Sequence, residues 1–212
     1  MNIGGPNQRS VCAEECWRRL ENDGIDQTVI AQLRQLVYHG PPEIKVNDQG
    51  VVVWARFFAL ALQRQHLDIL ANFHELRWLC LSHTDITDAD LTHLSSLKHL
   101  EWLSLHCTDI QGENLDELLS LRDLRYLSLF GAPIKENAMR ALGEFPTLRR
   151  LVLSRTPIVD DWIVHLASLT SLEVLYLRYT KLSERRITEL QDAIPKCRIK
   201  RLANGAPYAR GL

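Results

Sequence analysis

The sequence predicts an α/β protein: a right-handed solenoid with a curved parallel sheet on its concave side and short helices behind the sheet. Three observations support this fold class. Apolar residues recur every 24 residues. Within each copy they are first two residues apart and later three residues apart, and the final copy is polar. A period of about 20–50 residues is typical of solenoids, because a single repeat cannot bury its apolar side chains without a neighbour.

The period is constant over five copies. Each copy opens with a leucine and has further leucines at its positions 4 and 6; the opening residues are Leu76, Leu100, Leu124, Leu148 and Leu172. The alternation at positions 4 and 6 predicts one buried face of a short strand. Positions 16, 19 and 22 are apolar and three residues apart, which suits one face of a short α- or 3₁₀-helix.

A sixth copy precedes these five. Residues 52–73 carry apolar side chains at every apolar position of the repeat. A single helix over residues 51–72 is the competing interpretation, because the segment is rich in helix formers. The repeat predicts strands at 52–57, 77–82, 101–106, 125–130, 149–154 and 173–178.

The pattern LxxLxLxxTxI, followed by an LxxL segment, resembles the leucine-rich repeat in the 24-residue form common in bacterial proteins. The resemblance covers about residues 52–201, as six repeats and a partial seventh. That family usually has asparagine at position 9, where this sequence has threonine or, at Ala132, alanine. We expect a threonine hydroxyl to bridge neighbouring turns less completely than an asparagine amide, and alanine cannot bridge them.

Both ends of the solenoid are predicted to be covered. Residues 1–51 are interpreted as an N-terminal cap, with helices near 8–22 and 26–39 and a hairpin turn at the NDQG sequence. The hairpin would pair with the first strand of the repeats and cover its edge. Polar residues replace two expected leucines in the last copy, which suits a capping repeat, and residues 202–212 are predicted to be a loose tail.

Composition predicts a cytoplasmic protein without membrane association. An odd number of cysteines, five, predicts free thiols in a reducing compartment. The longest apolar stretch, residues 51–62, is too short for a membrane span, and the first ten residues do not resemble a signal peptide. Residues 1–147 carry 13 Lys and Arg against 20 Asp and Glu, whereas residues 148–212 carry 12 against 6. This asymmetry would steer an anionic partner toward the C-terminal end.

Positions 3, 5 and 7 of each strand are predicted to point away from the core, onto the concave face. At position 3 the first four repeats carry an aromatic series, Trp54, Trp78, Trp102 and Tyr126, and position 7 adds Phe58, His106 and Phe130. One interpretation is that cross-strand aromatic pairs stabilise the sheet. The interpretation we favour is a partner-binding surface, because tryptophan and tyrosine dominate interface hot spots.

The same face becomes basic toward the C terminus, where Arg150, Arg155, Arg178 and Arg198 are interleaved with Tyr176. These cations suit a protein partner with an acidic segment. The second interpretation is a nucleic acid, a phosphorylated ligand or a glycan bound to the same face. The sequence therefore predicts a protein-interaction module.

Signatures of catalysis are missing from the sequence: it has no glycine-rich phosphate loop, no nucleophile elbow and no HExxH motif. We expect a non-enzymatic protein with no cofactor, no metal ion and no catalytic residue. The alternative is a Cys–His or Zn²⁺ site, because His83 and Cys107 both occupy position 8 and would lie about 5 Å apart on adjacent strands.

Overall fold

The computed structural model describes residues 27, 28, 31, 43–57, 62 and 64–201. In this part of the chain, eight strands form one sheet in sequential order. The strands are β1 (Glu43–Val46), β2 (Val52–Arg56), β3 (Trp78–Cys80), β4 (Trp102–Ser104), β5 (Tyr126–Ser128), β6 (Arg150–Val152), β7 (Val174–Tyr176) and β8 (Arg198–Lys200). Strand β1 is antiparallel to β2, and all later pairs are parallel.

The parallel pairs share one register. Each residue lies opposite its counterpart 24 positions later, so that Leu79 is opposite Leu103 and Leu103 is opposite Leu127. This register confirms the predicted repeat. The competing interpretation was a single helix over residues 51–72. The structure has strand β2 and a separate helix at Arg64–Leu70 there, which confirms the additional copy at the N-terminal end of the repeats.

Strands β3–β7 are shorter than predicted, with three residues each at positions 3–5. The hydrogen-bond ladder nevertheless continues past the strand ends. The Leu81 N–H donates to the Ser104 carbonyl at 2.9 Å, and the His83 N–H donates to the His106 carbonyl at 2.8 Å. Regular strand geometry ends early because the backbone turns at position 8.

The turn at position 8 has a left-handed backbone in five successive repeats. The φ angles are 58° at His83, 50° at Cys107, 69° at Gly131, 58° at Arg155 and 57° at Tyr179. For a residue other than glycine this conformation costs roughly 1–2 kcal/mol. At the first four of these residues, an inter-repeat hydrogen bond from the same backbone N–H offsets part of that cost.

Threonine at position 9 closes the turn within its own repeat. The Thr108 hydroxyl donates to the Leu105 carbonyl at 2.8 Å, and the Thr84 hydroxyl donates to the Leu81 carbonyl at 2.6 Å. The expectation was that threonine bridges neighbouring turns less completely than asparagine. These two hydroxyls instead bond the carbonyl three residues earlier in their own turn.

Short helices pack behind the sheet and stack on one another along the solenoid. They comprise α-helices at Arg64–Leu70, Leu91–Leu94, Glu136–Gly143 and Glu184–Ala193, and 3₁₀-helices at Asp88–Asp90, Leu115–Ser120 and Ile163–Ser168. Two of these helices have an N-terminal cap. The Thr87 N–H donates to Asp90 Oδ2 at 2.9 Å, and the Ser183 hydroxyl accepts the Arg186 N–H at 3.3 Å.

The apolar core fills the space between the sheet and the helices. Leucines at positions 1, 4 and 6 are inaccessible to solvent; Leu103 and Leu127, for example, are 0% exposed. Carboxylates secure the loops around this core. Asp88 accepts the backbone N–H groups of Gln111 and Gly112, and Asp85 accepts the Leu62 N–H at 2.7 Å. Asp85 therefore has a structural role.

The predicted hairpin is present at the N-terminal edge. Strand β1 pairs with β2, and Gly50 between them has a φ of 76°. Asn47 stabilises the turn by accepting the N–H groups of Gln49 and Val51 at 3.0 Å. Apart from three helical residues at 27, 28 and 31, the predicted cap helices lie outside the described residues, as does the predicted tail at 202–212. The division of residues 1–51 from 52–201 stays a prediction.

Leu127→Ala tests the shared core. Removing this fully buried side chain from the middle of the sheet should lower the free energy of unfolding by about 2–5 kcal/mol, because the cavity cannot collapse between two rigid neighbours. Urea denaturation measures the change. Arg125→Ala, an exposed site two residues away, is the control. Equal stability of the two variants would contradict the shared core.

Candidate functional site

Four aromatic side chains at position 3 form a continuous stack on the face of the sheet opposite the helices, here called the concave face. Ring centroids are 4.4 Å apart for Trp54 and Trp78, 4.0 Å for Trp78 and Trp102, and 4.5 Å for Trp102 and Tyr126. The interplanar angles are 14°, 11° and 9°. We call these four residues the aromatic ladder. All four are partly buried.

Most ring faces of the ladder are in contact with the neighbouring ring of the ladder. A flat ligand inserted between two rungs would need a separation of about 7 Å, twice the contact distance, so these gaps are too narrow. Cations lie at both ends of the ladder. Lys45 Nζ is 4.9 Å from the Trp54 ring centroid, and Tyr126 lies opposite Arg150. A ligand would meet ring edges rather than open faces.

The position-5 side chains lie on the concave face but are buried. Cys80, Ser104, Ser128 and Val152 are 6%, 5%, 4% and 2% exposed. The larger side chains at positions 3 and 7 flank and cover them. Ser82 Oγ lies 3.1 Å from both Cys80 Sγ and Ser104 Oγ, which satisfies these buried polar atoms. The sequence pattern alone does not distinguish such a buried floor from an exposed column.

A second column of side chains runs along positions 7 and 8. The rings of His83 and His106 have centroids 4.9 Å apart, and those of His106 and Phe130 are 4.3 Å apart. The Arg155 guanidinium lies 5.7 Å from the Phe130 ring and 5.1 Å from the Tyr179 ring. Aromatic and cationic groups thus alternate toward the C terminus, in the manner of cation–π pairs.

A groove of about 740 Å³ separates the aromatic ladder from this second column. The position-5 side chains form its floor, and Arg155 lies at its C-terminal end. One acidic residue, Glu43, is among the described residues that line the groove. Its Oε1 atom lies 3.3 Å from a guanidinium nitrogen of Arg56. The groove therefore has aromatic rings on both walls and carries no unpaired acidic side chain among the described residues.

From Arg155 at the end of the groove toward the C terminus, the concave face is basic. Arg150, Arg155 and Arg198 are exposed, and Arg178 and Tyr176 are partly buried. Within the described part of the chain, no salt bridge involves any of these four arginines. Their charge is available to a partner.

Three potential metal ligands converge on the rim of the groove. His83 and Cys107 occupy position 8 of adjacent repeats, as predicted, and His106 adds a third side chain; their ligand atoms all lie within 4.8 Å of one another. Burial lowers the pKa of His106, with smaller contributions from His83 and Arg155. Burial raises the pKa of the Cys107 thiol, and Arg155 opposes this shift.

No family model matches the sequence, and no curated protein matches it. Solved structures do match its fold. An internalin C2 from Listeria monocytogenes has a TM-score of 0.56 at 17% identity, over 78% of this chain and 80% of that one. The leucine-rich-repeat ectodomain of the Arabidopsis receptor kinase HAESA, in complex with an N-terminally extended IDA peptide hormone, has a TM-score of 0.55 at 18% identity. The chain has a leucine-rich-repeat fold.

The match to the HAESA ectodomain covers 92% of this leucine-rich-repeat chain but only 33% of that ectodomain. Within the described residues, none of the helices has the length and apolar content that a bilayer span requires. The fold explains why the aromatic ladder is continuous: identical repeat lengths bring position 3 of each turn beside position 3 of the next.

The leucine-rich repeats bring most of the predicted site residues onto one face. The four ladder residues, together with His106, Phe130 and Arg155, line the groove. Arg150, Tyr176, Arg178 and Arg198 belong to the basic end, and Phe58 lies outside the described residues. Lys45 and Tyr179 were not predicted as site residues. The 24-residue spacing places Tyr179 at position 8 beside Arg178, so the sequence did contain a signal for it.

The stacking of Trp78 on Trp102 can be measured with a double-mutant cycle. Alanine at both positions should reveal a coupling of about 0.5–1.5 kcal/mol in the free energy of unfolding, because each ring loses a stacked neighbour. Trp54 and Tyr126, the first and last rungs, are separated by Trp78 and Trp102; they supply the control cycle and should couple by less than about 0.5 kcal/mol. Equal coupling in both cycles would contradict direct stacking.

Tyr126 should make stability fall at alkaline pH. Burial raises its pKa to about 12, so the phenol stays protonated in the folded protein while it ionises in the unfolded chain near pH 10. Stability is therefore lost as pH rises from about 10 to 12, by roughly 1.4 kcal/mol per pH unit. Urea titrations of wild type and Tyr126→Phe at pH 9 and above should diverge, with the wild type losing more. Parallel curves would argue against a buried phenol.

Proposed function

We propose that this protein is a non-enzymatic interaction module that binds an extended segment of a protein partner along the concave face. The groove between the aromatic ladder and the second column is the single observation that carries the proposal. Its volume of about 740 Å³ exceeds what the short side chains of its floor can fill, and ring edges are presented on both walls. Aromatic groups that stand in a partly desolvated groove are typical interface anchors.

Charge supports an acidic partner segment. Arg150, Arg155, Arg178 and Arg198 face the same side of the sheet. The outward positions 3, 5 and 7 of strands β3–β8 include no Asp or Glu. An anionic chain would therefore be attracted to the C-terminal end and meet little repulsion on the face. Electrostatic complementarity of this kind raises association rates and selects partners.

The HAESA ectodomain, a distant neighbour in fold, holds a peptide hormone in its solved complex. That complex shows that a leucine-rich-repeat ectodomain can bind a peptide, and at 18% identity the likeness to this chain extends to the fold only. The alternative ligands are a nucleic acid, a phosphorylated molecule or a glycan. Close stacking of the ladder disfavours bases or sugars inserted between its rings, which leaves the basic end as the part that would bind phosphate.

The non-enzymatic part of the proposal is supported by Cys107. A catalytic cysteine needs a depressed pKa, whereas burial raises the pKa of this thiol. We also propose a reducing, cytoplasmic location. Its support is the odd number of cysteines in the sequence and the free thiols of Cys80, Cys107 and Cys197.

A peptide selection tests the proposed function. Linear peptides selected from a random library on the wild-type protein should combine aromatic or aliphatic residues with Asp and Glu. Their affinity should fall by at least about 2 kcal/mol, roughly 30-fold, for Trp102→Ala. The double variant Arg155→Glu/Arg178→Glu should slow association and reverse its dependence on salt.

The control variant is Arg140→Glu/Arg185→Glu, which makes the same charge change on exposed helical positions behind the sheet. It should leave peptide affinity unchanged. Circular dichroism must show that every variant is folded. Selected peptides that bind the groove variants as tightly as wild type would refute the concave face as the site. Quenching of tryptophan fluorescence by single-stranded RNA or a glycan, without peptide selection, would favour the alternative ligands.

A further inference from the structure

Two histidines and a cysteine meet on the rim of the groove. His83 comes from the repeat of β3, and His106 and Cys107 come from the next repeat. Their ligand atoms lie within 4.8 Å of one another, and they are the one such group of three His, Cys, Asp or Glu side chains among the described residues. The aromatic ladder, the arginines and the sheet do not require this combination.

Backbone hydrogen bonds hold the three residues in position. The His83 N–H donates to the His106 carbonyl, and the Cys107 N–H donates to the Phe130 carbonyl, both at 2.8 Å. His83 and Cys107 share the left-handed conformation, with φ of 58° and 50°, so their side chains leave the backbone in the same direction. The backbone positions of His83 and Cys107 are thus fixed relative to those of their neighbours in the next repeat.

The distances are within reach of a tetrahedral site. Bonds of about 2.0–2.1 Å to nitrogen and 2.3 Å to sulfur place neighbouring ligand atoms about 3.3–3.7 Å apart. The separations here are all within 4.8 Å, so the side chains would have to approach by at most about 1–1.5 Å. Rotation about the side-chain bonds can supply this movement, since His83 is exposed and the other two are only partly buried.

The next repeat leaves room for the thiol. A Cβ atom at Gly131 would lie 3.0 Å from Cys107 Sγ, closer than ordinary contact. Position 8 carries a side chain in the neighbouring repeats but glycine at this one point, where the φ is 69°. The absence of a side chain at residue 131 therefore keeps the sulfur accessible beside the two imidazoles.

The donor set decides which ion fits. Two imidazole nitrogens and a thiolate suit Zn²⁺ and other borderline or soft cations, whereas Mg²⁺ and Ca²⁺ need oxygen ligands. We propose that His83, His106 and Cys107 form a Zn²⁺ site with three protein ligands. Three ligands leave one coordination position for water or for a side chain of a partner. The nearby Arg155 charge opposes the ion, so we expect weaker binding than in a four-ligand structural site.

This inference takes up the alternative metal site that the sequence placed at His83 and Cys107, adds His106 to it, and replaces the expectation of no metal ion. It does not depend on the proposed function. Zinc binding is measured on the protein alone, so its failure would leave the peptide groove untouched. Peptide binding, in turn, can fail without affecting the metal. If both hold, the ion adds positive charge to the rim that an acidic partner segment would contact.

Cobalt titration of the full-length, reduced and chelator-treated protein tests the site. The background carries Cys12→Ser and Cys16→Ser, because these two cysteines lie outside the described residues and could bind metal themselves. We expect one equivalent of Co²⁺, an absorption band for charge transfer from thiolate to cobalt, and displacement by Zn²⁺. Zinc should also raise the urea midpoint.

Substitutions assign the ligands. Cys107→Ser should abolish the charge-transfer band, and His83→Gln or His106→Gln should weaken Co²⁺ binding at least tenfold. Matched controls are Cys197→Ser and His99→Gln, which alter a buried cysteine and a histidine paired with Asp123 and should change nothing. The proposal is overturned if Co²⁺ does not bind, or if the band and affinity persist in Cys107→Ser. Comparable urea midpoints of the metal-free variants establish that lost binding is not lost folding.

Discussion

The whole structure depends on a backbone hydrogen-bond ladder that repeats every 24 residues. Each turn of the chain must return to the same lateral position, one strand spacing further along. A one-residue slip within the strand positions would turn the side chains of that strand to the opposite face of the sheet. The left-handed residue at position 8 and the threonine hydroxyl at position 9 repeat with the ladder because they make the turn that returns the chain.

The same constraint creates the surface chemistry. Residues that share a position are forced into van der Waals contact, whatever they are, so a repeated tryptophan becomes a stack of rings. Two histidines and a cysteine at positions 7 and 8 become a compact group for the same reason. Stabilising the sheet and presenting a binding surface are therefore not exclusive roles for the ladder. The stacked ring faces stabilise the sheet, and the ring edges remain available to bind a partner.

The concave face is divided along the solenoid axis. Its N-terminal half has stacked rings, a buried floor and a hairpin strand with Lys45 over the first ring. Its C-terminal half has four arginines with no salt bridge among the described residues. Tyr179 lies beside two of them, and Tyr176 lies beside Lys200. A ligand spanning both halves would gain apolar burial at one end and charge at the other. This division favours an extended amphipathic segment over a small compact ligand.

The sequence by itself determined the solenoid, the register, the hairpin and the outward direction of position 3, because all of these follow from a strict period and from the alternation of side chains along a strand. The sequence also predicted that His83 and Cys107 are neighbours, because both occupy position 8 in adjacent repeats. Only the tertiary structure decided that Cys80 and Ser104 are buried, that strands end after three residues, and that Thr108 bonds within its own turn. These outcomes depend on side-chain rotation, on shielding by flanking columns and on the local backbone turn. A one-dimensional period specifies which residues meet, but not how their side chains pack once they do.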